Sequence, residues 1–252
     1  MIPLRDHNPT ERRPYLTWIL IALNVAAFFL WQPLGSAANE PTAVAAGSRA
    51  LTRGELFVFC HGAIPDEVMD LEPVMGLAEA CGGKSILASI FTSMFLHGGL
   101  LHIAGNMLYL WVFGNNVEDR MGRAPFLAFY LAAGVAAVYA QAATDADSVI
   151  PMIGASGAIA GVLGAYLVLF PHARVVTLVP LFYFLQVAEL PAILVLGFWF
   201  VLQAFQGVGS LGSDVGGVAW FAHIGGFVFG ALVALLFRGR TRPRAPAPYD
   251  PF

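Results

Sequence analysis

Apolar runs recur through this chain at lengths near or above what a helix needs to cross a bilayer, about 20 residues. They run from Tyr15 to Trp31, Leu100 to Phe113 (with a lead-in from Ile90 to His97), Pro125 to Ala143, Ser156 to Phe170, Pro191 to Phe205 and Trp220 to Phe237. Of 252 residues, 58% are hydrophobic and 12% charged, and the mean hydropathy is +0.72. That charged share is about half of the ~25% found in soluble domains. The expected fold class is an all-α polytopic membrane protein with six transmembrane helices. A net charge of −3, with no basic patch interleaved with aromatic residues, argues against nucleic acid as a partner.

The organisation follows from these runs. Residues 1–14 are polar and hold Arg5, Arg12 and Arg13; residues 15–237 form the membrane domain; residues 238–252 form an Arg/Pro-rich tail expected to be disordered. Gly35-Ser36-Ala37-Ala38 loosely resembles a signal cleavage site, whereas Trp18 and Trp31 near the two ends of the first run suit a retained span. A long first loop, about 32–89, is expected to lie in short amphipathic pieces at the membrane surface. Asn115 to Arg123 reads as a short charged turn. Val175 to Gln186, interrupted by Pro180, reads as a connector partly in the interface, and Gly207 to Gly217 as a glycine-rich loop that permits movement.

Six spans place both termini on one side. Putting that side in the cytoplasm leaves only Arg49, Arg53 and Lys84 outside, as the positive-inside rule requires. The expected location is the cell membrane, with the bilayer itself as one partner. Cys60 and Cys81 then share the outer first loop, where either a disulfide or two free thiols is open.

Ile153 to Gly164 holds one serine among glycines. Read as a helix, Gly154, Gly157, Gly161 and Gly164 follow 3- and 4-residue steps and make one smooth stripe, with Ser156 beside it. Small residues in such a stripe let another helix's backbone approach closely in lipid. On the sixth span, Gly226 and Gly230 share a face with His223, which pairs naturally with that stripe and would bring His223 beside Ser156. Spans two, four and six run from outside to inside, so His102, Asn106, Ser156 and His223 all lie near the outer ends of their helices. Polar side chains at membrane depth are costly, and a set of them points to function.

A serine is a weak nucleophile that needs an adjacent base, and a neutral histidine supplies one. Spans two, four and six carry no Asp or Glu to orient His223, so the pair would be a dyad. His102 and Asn106, one helical turn apart, can donate to a tetrahedral oxyanion together with the Ser156 backbone N–H. No His-Glu-x-x-His occurs, and His97 and His102 lack an acidic third ligand; no metal and no cofactor is expected. Only Glu189, near the start of span five, is placed for a proton relay, which leaves ion-coupled transport weakly supported.

The chain resembles the rhomboid intramembrane serine proteases. The matching pieces are Phe91-Thr92-Ser93-Met94-Phe95-Leu96-His97-Gly98-Gly99 leading to His102-x-x-x-Asn106, then Gly154-Ala155-Ser156-Gly157, then Ala222-His223-x-x-Gly226-x-x-x-Gly230. The resemblance implies a six-span bundle, Ser156 as nucleophile, His223 as general base and His102 with Asn106 at the oxyanion hole. It also implies single-span or other membrane-anchored proteins as substrates, entering between spans two and five. Many members carry a Trp-Arg pair in the first loop; the corresponding place here reads Ala88-Ser89, which bears on the anchoring of that loop and not on the chemistry. Ala160 stands where some members stack an aromatic residue on the histidine, so other packing must hold His223. The alternative is a non-catalytic rhomboid-like scaffold that binds client helices; loss of the serine or histidine would mark it, and both are present.

Overall fold

The computed structural model describes residues 1–46, 49–74, 76–181, 184–210 and 218–239. Its centre is a three-helix packing of α8 (Arg123–Ala142), α9 (Ser156–Leu169) and α11 (Trp220–Arg238), with α9 almost wholly enclosed. Glycine makes that closeness possible. A Cβ on Gly226 would fall inside contact distance of the Gly157 carbonyl oxygen, and one on Gly230 would meet the Gly161 carbonyl. Gly157 and Gly161 are in turn covered by Ala137 and Ala133 of α8. Backbone therefore lies directly on backbone along the α9–α11 seam, as small residues permit in a solvent of lipid tails.

Around this centre stand α1 (Tyr15–Ala26, prolonged as a π turn through Trp31), α6 (Leu100–Tyr109), α7 (Asn115–Met121) and α10 (Ala192–Ser210). Among the described residues, α8, α10 and α11 are long and apolar enough to cross a membrane. A fourth crossing is available if the bent pair Ile86–Phe95 and Leu100–Met121, which turns through 84°, counts as one span. The helices Tyr15–Trp31 and Ser156–Leu169 are shorter than that length, although each coincides with an apolar run of the sequence. The protein is a multi-pass helical membrane protein.

Two expectations need correction. The stretch Asn115 to Arg123 is no turn: α7 continues the line of α6, and buried Glu118 accepts N–H groups of Leu16 (3.1 Å) and Thr17 (2.7 Å), capping α1. A carboxylate there both satisfies orphan donors and meets the positive end of the helix dipole. The connector after α9 is a hairpin, β4 (Arg174–Leu181) with β5 (Phe184–Pro191), onto which β1 (Ile2–Asp6) adds antiparallel at the other edge of β4. Val175, Val176, Thr177 and Val179 supply the β-branched pattern, and Pro180 lies past the β1-paired stretch, where that side of β4 is an open edge. Glu189 sits on β5 with His7 (3.3 Å) and Arg174 (3.9 Å). Asp6 ties this sheet to the helices: Tyr166 (2.6 Å) and Asn116 (2.8 Å) donate to its carboxylate, and burial pushes its pKa up to about 6.

The first loop folds into short elements. It holds a short hairpin, β2 (Pro41–Ala46) and β3 (Arg49–Thr52), then α2 (Arg53–His61), α3 (Pro65–Asp70), α4 (Leu77–Ala80) and α5 (Ile86–Thr92). Thr52 and Glu55 form a reciprocal capping box on α2. Cys60 and Cys81 are joined in a disulfide between α2 and the end of α4. Glu67 and Lys84 pair with both side chains fully buried, and Lys84 also donates to the Phe59 carbonyl (2.7 Å); burial lowers the lysine's pKa. These contacts tie the pieces of the first loop to one another. The segment 211–217, most of the expected glycine-rich loop, and the tail from 240 onward lie outside the described residues; Gly207 to Ser210 are the last turn of α10.

The seam yields a direct test. Gly226→Ala is expected to lower thermal stability in detergent by about 1–3 kcal/mol, the usual cost of overpacking. Gly197→Ala on α10, where a Cβ meets nothing, is expected to leave it unchanged or slightly raised. Equal melting temperatures for the two variants would show that the helices are not held at backbone contact.

Candidate active site

His102, Asn106, Ser156 and His223 line one cavity at one end of the bundle. Ser156 is the first residue of α9, and His223 stands in the first turn of α11. Gly226, one turn below His223, rests on the carbonyl of Gly157, so a backbone contact of the seam adjoins the two side chains and limits their separation. The Ser156 hydroxyl donates to His223 Nε2 at 2.8 Å, while His223 Nδ1 donates to Gln203 Oε1 on α10 at 2.6 Å. Because an amide oxygen only accepts, this second bond fixes the proton on Nδ1 and leaves the Nε2 lone pair toward the serine.

His102 and Asn106 face the same cavity from α6. The Gly98 N–H donates to His102 Nδ1 at 3.3 Å, which leaves the proton on Nε2. That Nε2 is aimed at the turn before Ser156: a Cβ on Gly154 would come within 2.9 Å of it and 3.4 Å of Ser156 Oγ. Asn106 Nδ2 donates to the His102 carbonyl at 3.1 Å, one turn back. Gly154 itself is not on the helical stripe. It lies in the turn ahead of α9 with φ +127°, a conformation L side chains avoid, and its N–H donates to the Ser93 carbonyl at 2.9 Å. Gly157, Gly161, Gly226 and Gly230 do form the packing seam.

The cavity measures about 950 Å³ and is walled by α6, α9, α10 and α11, with Ser156, His223, His102, Asn106 and Gln203 on its surface. Its described lining holds no carboxylate, and among the described residues no group of three or more His, Cys, Asp or Glu could hold a metal ion. Chemically, a serine hydroxyl bonded to a neutral imidazole, with N–H donors across a few ångströms of open space, is the arrangement that general-base activation of an oxygen nucleophile requires.

Two glutamines were missed at sequence level. Gln203 is a neutral residue in an apolar run. Gln141, near the end of α8, accepts the N–H groups of Phe221 (3.1 Å) and Ala222 (3.3 Å), capping α11 just before His223. The signal was available, since a polar amide within a span is costly and marks a partner. Ala160 leaves no ring to stack from α9; Trp199 of α10 lies 5.9 Å from the histidine ring instead, and Trp220 meets it edge-on at 6.3 Å.

These features define a polytopic membrane protein with a hydrogen-bonded serine–histidine pair at one end of a glycine-packed bundle. Residues 84–240 match the Rhomboid domain, and the chain belongs to the rhomboid family. It is 30% identical over 220 residues to the Rhomboid protease GluP of Bacillus subtilis, covering 84% of this chain and 35% of that protein. It is 29% identical over 190 residues to the mitochondrial presenilin-associated rhomboid-like protein of Bos taurus (71% and 49%). To the mitochondrial Rhomboid protein 1 of Saccharomyces cerevisiae it is 34% identical over 150 residues (57% and 40%). The chain thus spans between about a third and a half of the length of these relatives.

Gln141→Leu removes the acceptor for two N–H groups at the start of α11. It is expected to cost about 1–2 kcal/mol and to speed amide exchange at Phe221 and Ala222 while α9 stays protected. Unchanged exchange at those two amides would mean that α8 does not set the start of α11.

Proposed function

We propose that this protein is an intramembrane serine endopeptidase that hydrolyses peptide bonds of membrane-anchored proteins in or near their transmembrane segments. Ser156 Oγ attacks the carbonyl carbon of the scissile bond while its proton passes to His223 Nε2. The tetrahedral oxyanion is met by the Ser156 backbone N–H, His102 Nε2–H and the Asn106 amide. As the C–N bond breaks, His223 gives the proton to the leaving amine, and water then hydrolyses the acyl-enzyme by the same route in reverse order. No residue in this scheme calls for a metal or cofactor. The observation that carries the reading is the 2.8 Å hydrogen bond between Ser156 and His223 on the wall of an open cavity. The likeness to a bacterial rhomboid protease supports the same class of activity.

We read the bundle as six spans in a cell membrane, with both termini cytoplasmic and Ser156 near the outer face. Arg120, Arg123, Arg174 and Arg238 gather at the end opposite Ser156, whereas Arg53 and Lys84 lie in the first loop at the Ser156 end. That asymmetry supports the orientation. A single-span substrate would reach the cavity from the bilayer between α6 and α10.

The test is cleavage of a single-span reporter by purified protein in liposomes. Wild type is expected to yield product with or without chelator. Ser156→Ala and His223→Ala are expected to yield none above background while remaining folded, and His102→Ala to slow turnover by about 10²–10³-fold. Turnover surviving Ser156→Ala or His223→Ala would overturn the dyad. Reporter that co-purifies with folded wild type yet stays uncut would favour a client-binding scaffold.

A further inference from the structure

Resting on that reading, we propose that Gln203 is a positioning residue for catalysis: from α10 it holds the His223 ring and fixes which of its nitrogens carries the proton. Its Oε1 lies 2.6 Å from His223 Nδ1, the shorter of the two hydrogen bonds the ring makes. Gln203 is only 8% exposed, so little water competes for that nitrogen. A neutral imidazole has one N–H and one lone pair, and only the Nδ1–H form presents its lone pair to the Ser156 hydroxyl. Without an acceptor at Nδ1 both tautomers are populated, and the form protonated on Nε2 cannot take the serine's proton. Gln203 therefore does for orientation what a carboxylate does in a triad, without adding charge.

Among the described residues, no other side chain is hydrogen-bonded to His223 Nδ1. Helices α9 and α10 carry no acidic or basic residue, and α8 has only Arg123, at its opposite end. The other titratable side chains lining the cavity are His102 and Tyr109, both on α6. Trp199, one turn before Gln203 on the same helix, covers the ring, so α10 supplies both the acceptor and the aromatic contact that Ala160 of α9 cannot.

The experiment measures kcat and KM for reporter cleavage across pH in liposomes, using wild type, Gln203→Leu, Gln203→Asn and Gln203→Glu, with Ser156→Ala as background. Leu removes the acceptor, and Asn shortens the side chain out of reach. Each is expected to lower kcat by about 10- to 100-fold, within the range of general-base effects, with KM changed less than about threefold. Glu restores an acceptor and is expected to recover most of kcat at alkaline pH. Its negative charge favours the imidazolium, so the acid limb of the rate profile should move to higher pH. Wild-type kcat in the Leu and Asn variants overturns the proposal. So does a folded Glu variant as slow as Leu with an unmoved acid limb, because the role is then one of shape. Should Leu fail to fold, the Asn and Glu pair decides on the same criteria. Folded wild type without turnover above Ser156→Ala overturns the protease reading and this proposal together, whereas turnover indifferent to residue 203 overturns this proposal alone.

Discussion

Backbone-to-backbone contact between α9 and α11 is the constraint on which the rest depends. Lipid offers no hydrophobic drive to pull two apolar helices together, so their approach rests on shape and dispersion at close range. Gly157, Gly161, Gly226 and Gly230 provide that shape, and Ala133 and Ala137 of α8 fill the hollow behind it. The consequence is geometric. Ser156 precedes Gly157, and His223 is three residues before Gly226, so both side chains hang from one end of this backbone contact. A hydrogen bond of 2.8 Å tolerates little drift of the two axes, and a seam with no side chains to repack allows little. Packing and chemistry are here one feature seen at two scales.

The outer parts of the molecule hold that feature in place from both ends. At the site end, Gln141 caps α11, and Gln32 brackets the turn into α6 by bonding both the N–H (2.9 Å) and the carbonyl (3.0 Å) of His97. The disulfide and the buried Glu67–Lys84 pair tie the first loop to itself, and the Asp66 N–H bonds the Ser148 carbonyl (3.1 Å) in the loop leading to Ser156. At the other end, Glu118 caps α1, and Asp6 draws the three-stranded sheet onto Tyr166 of α9. Breaking a buried pair such as Glu67–Lys84 leaves a charge without a partner, which makes it a strict anchor even if it adds little net stability.

What could be read in the sequence followed physical rules that act locally. Hydrophobic run length located each apolar helix, and the 3- and 4-residue spacing of glycines identified the seam. Matching Ser156 and His223 by depth on facing glycine stripes then placed them together. What escaped was set by tertiary partners. Asn115 to Met121 carries enough charge to look like a turn, yet its Glu118 is buried because the start of α1 lies beside it. Val175 to Gln186 has strand chemistry in its β-branched residues and pairs locally as a hairpin, while its third strand, Ile2 to Asp6, comes from more than 160 residues away in the chain. Gln203 and Gln141 lack the charge that draws the eye in an apolar run; their meaning lies in His223 and in the N–H groups of α11. Spacing alone puts Gly154 on the stripe, whereas its positive φ belongs to the turn that lies against His102 and Ser156.

The central claim is that packing at the glycine seam makes Ser156 a nucleophile through His223. Covalent capture tests it without need of a substrate. Folded protein in detergent would be treated with a fluorophosphonate, and the modified residue and its rate of labelling read by mass spectrometry. The account predicts one adduct, on Ser156, formed by wild type and lost both in His223→Ala and after unfolding. Labelling of Ser156 at the same rate in folded His223→Ala, or no adduct on folded wild type, would contradict it.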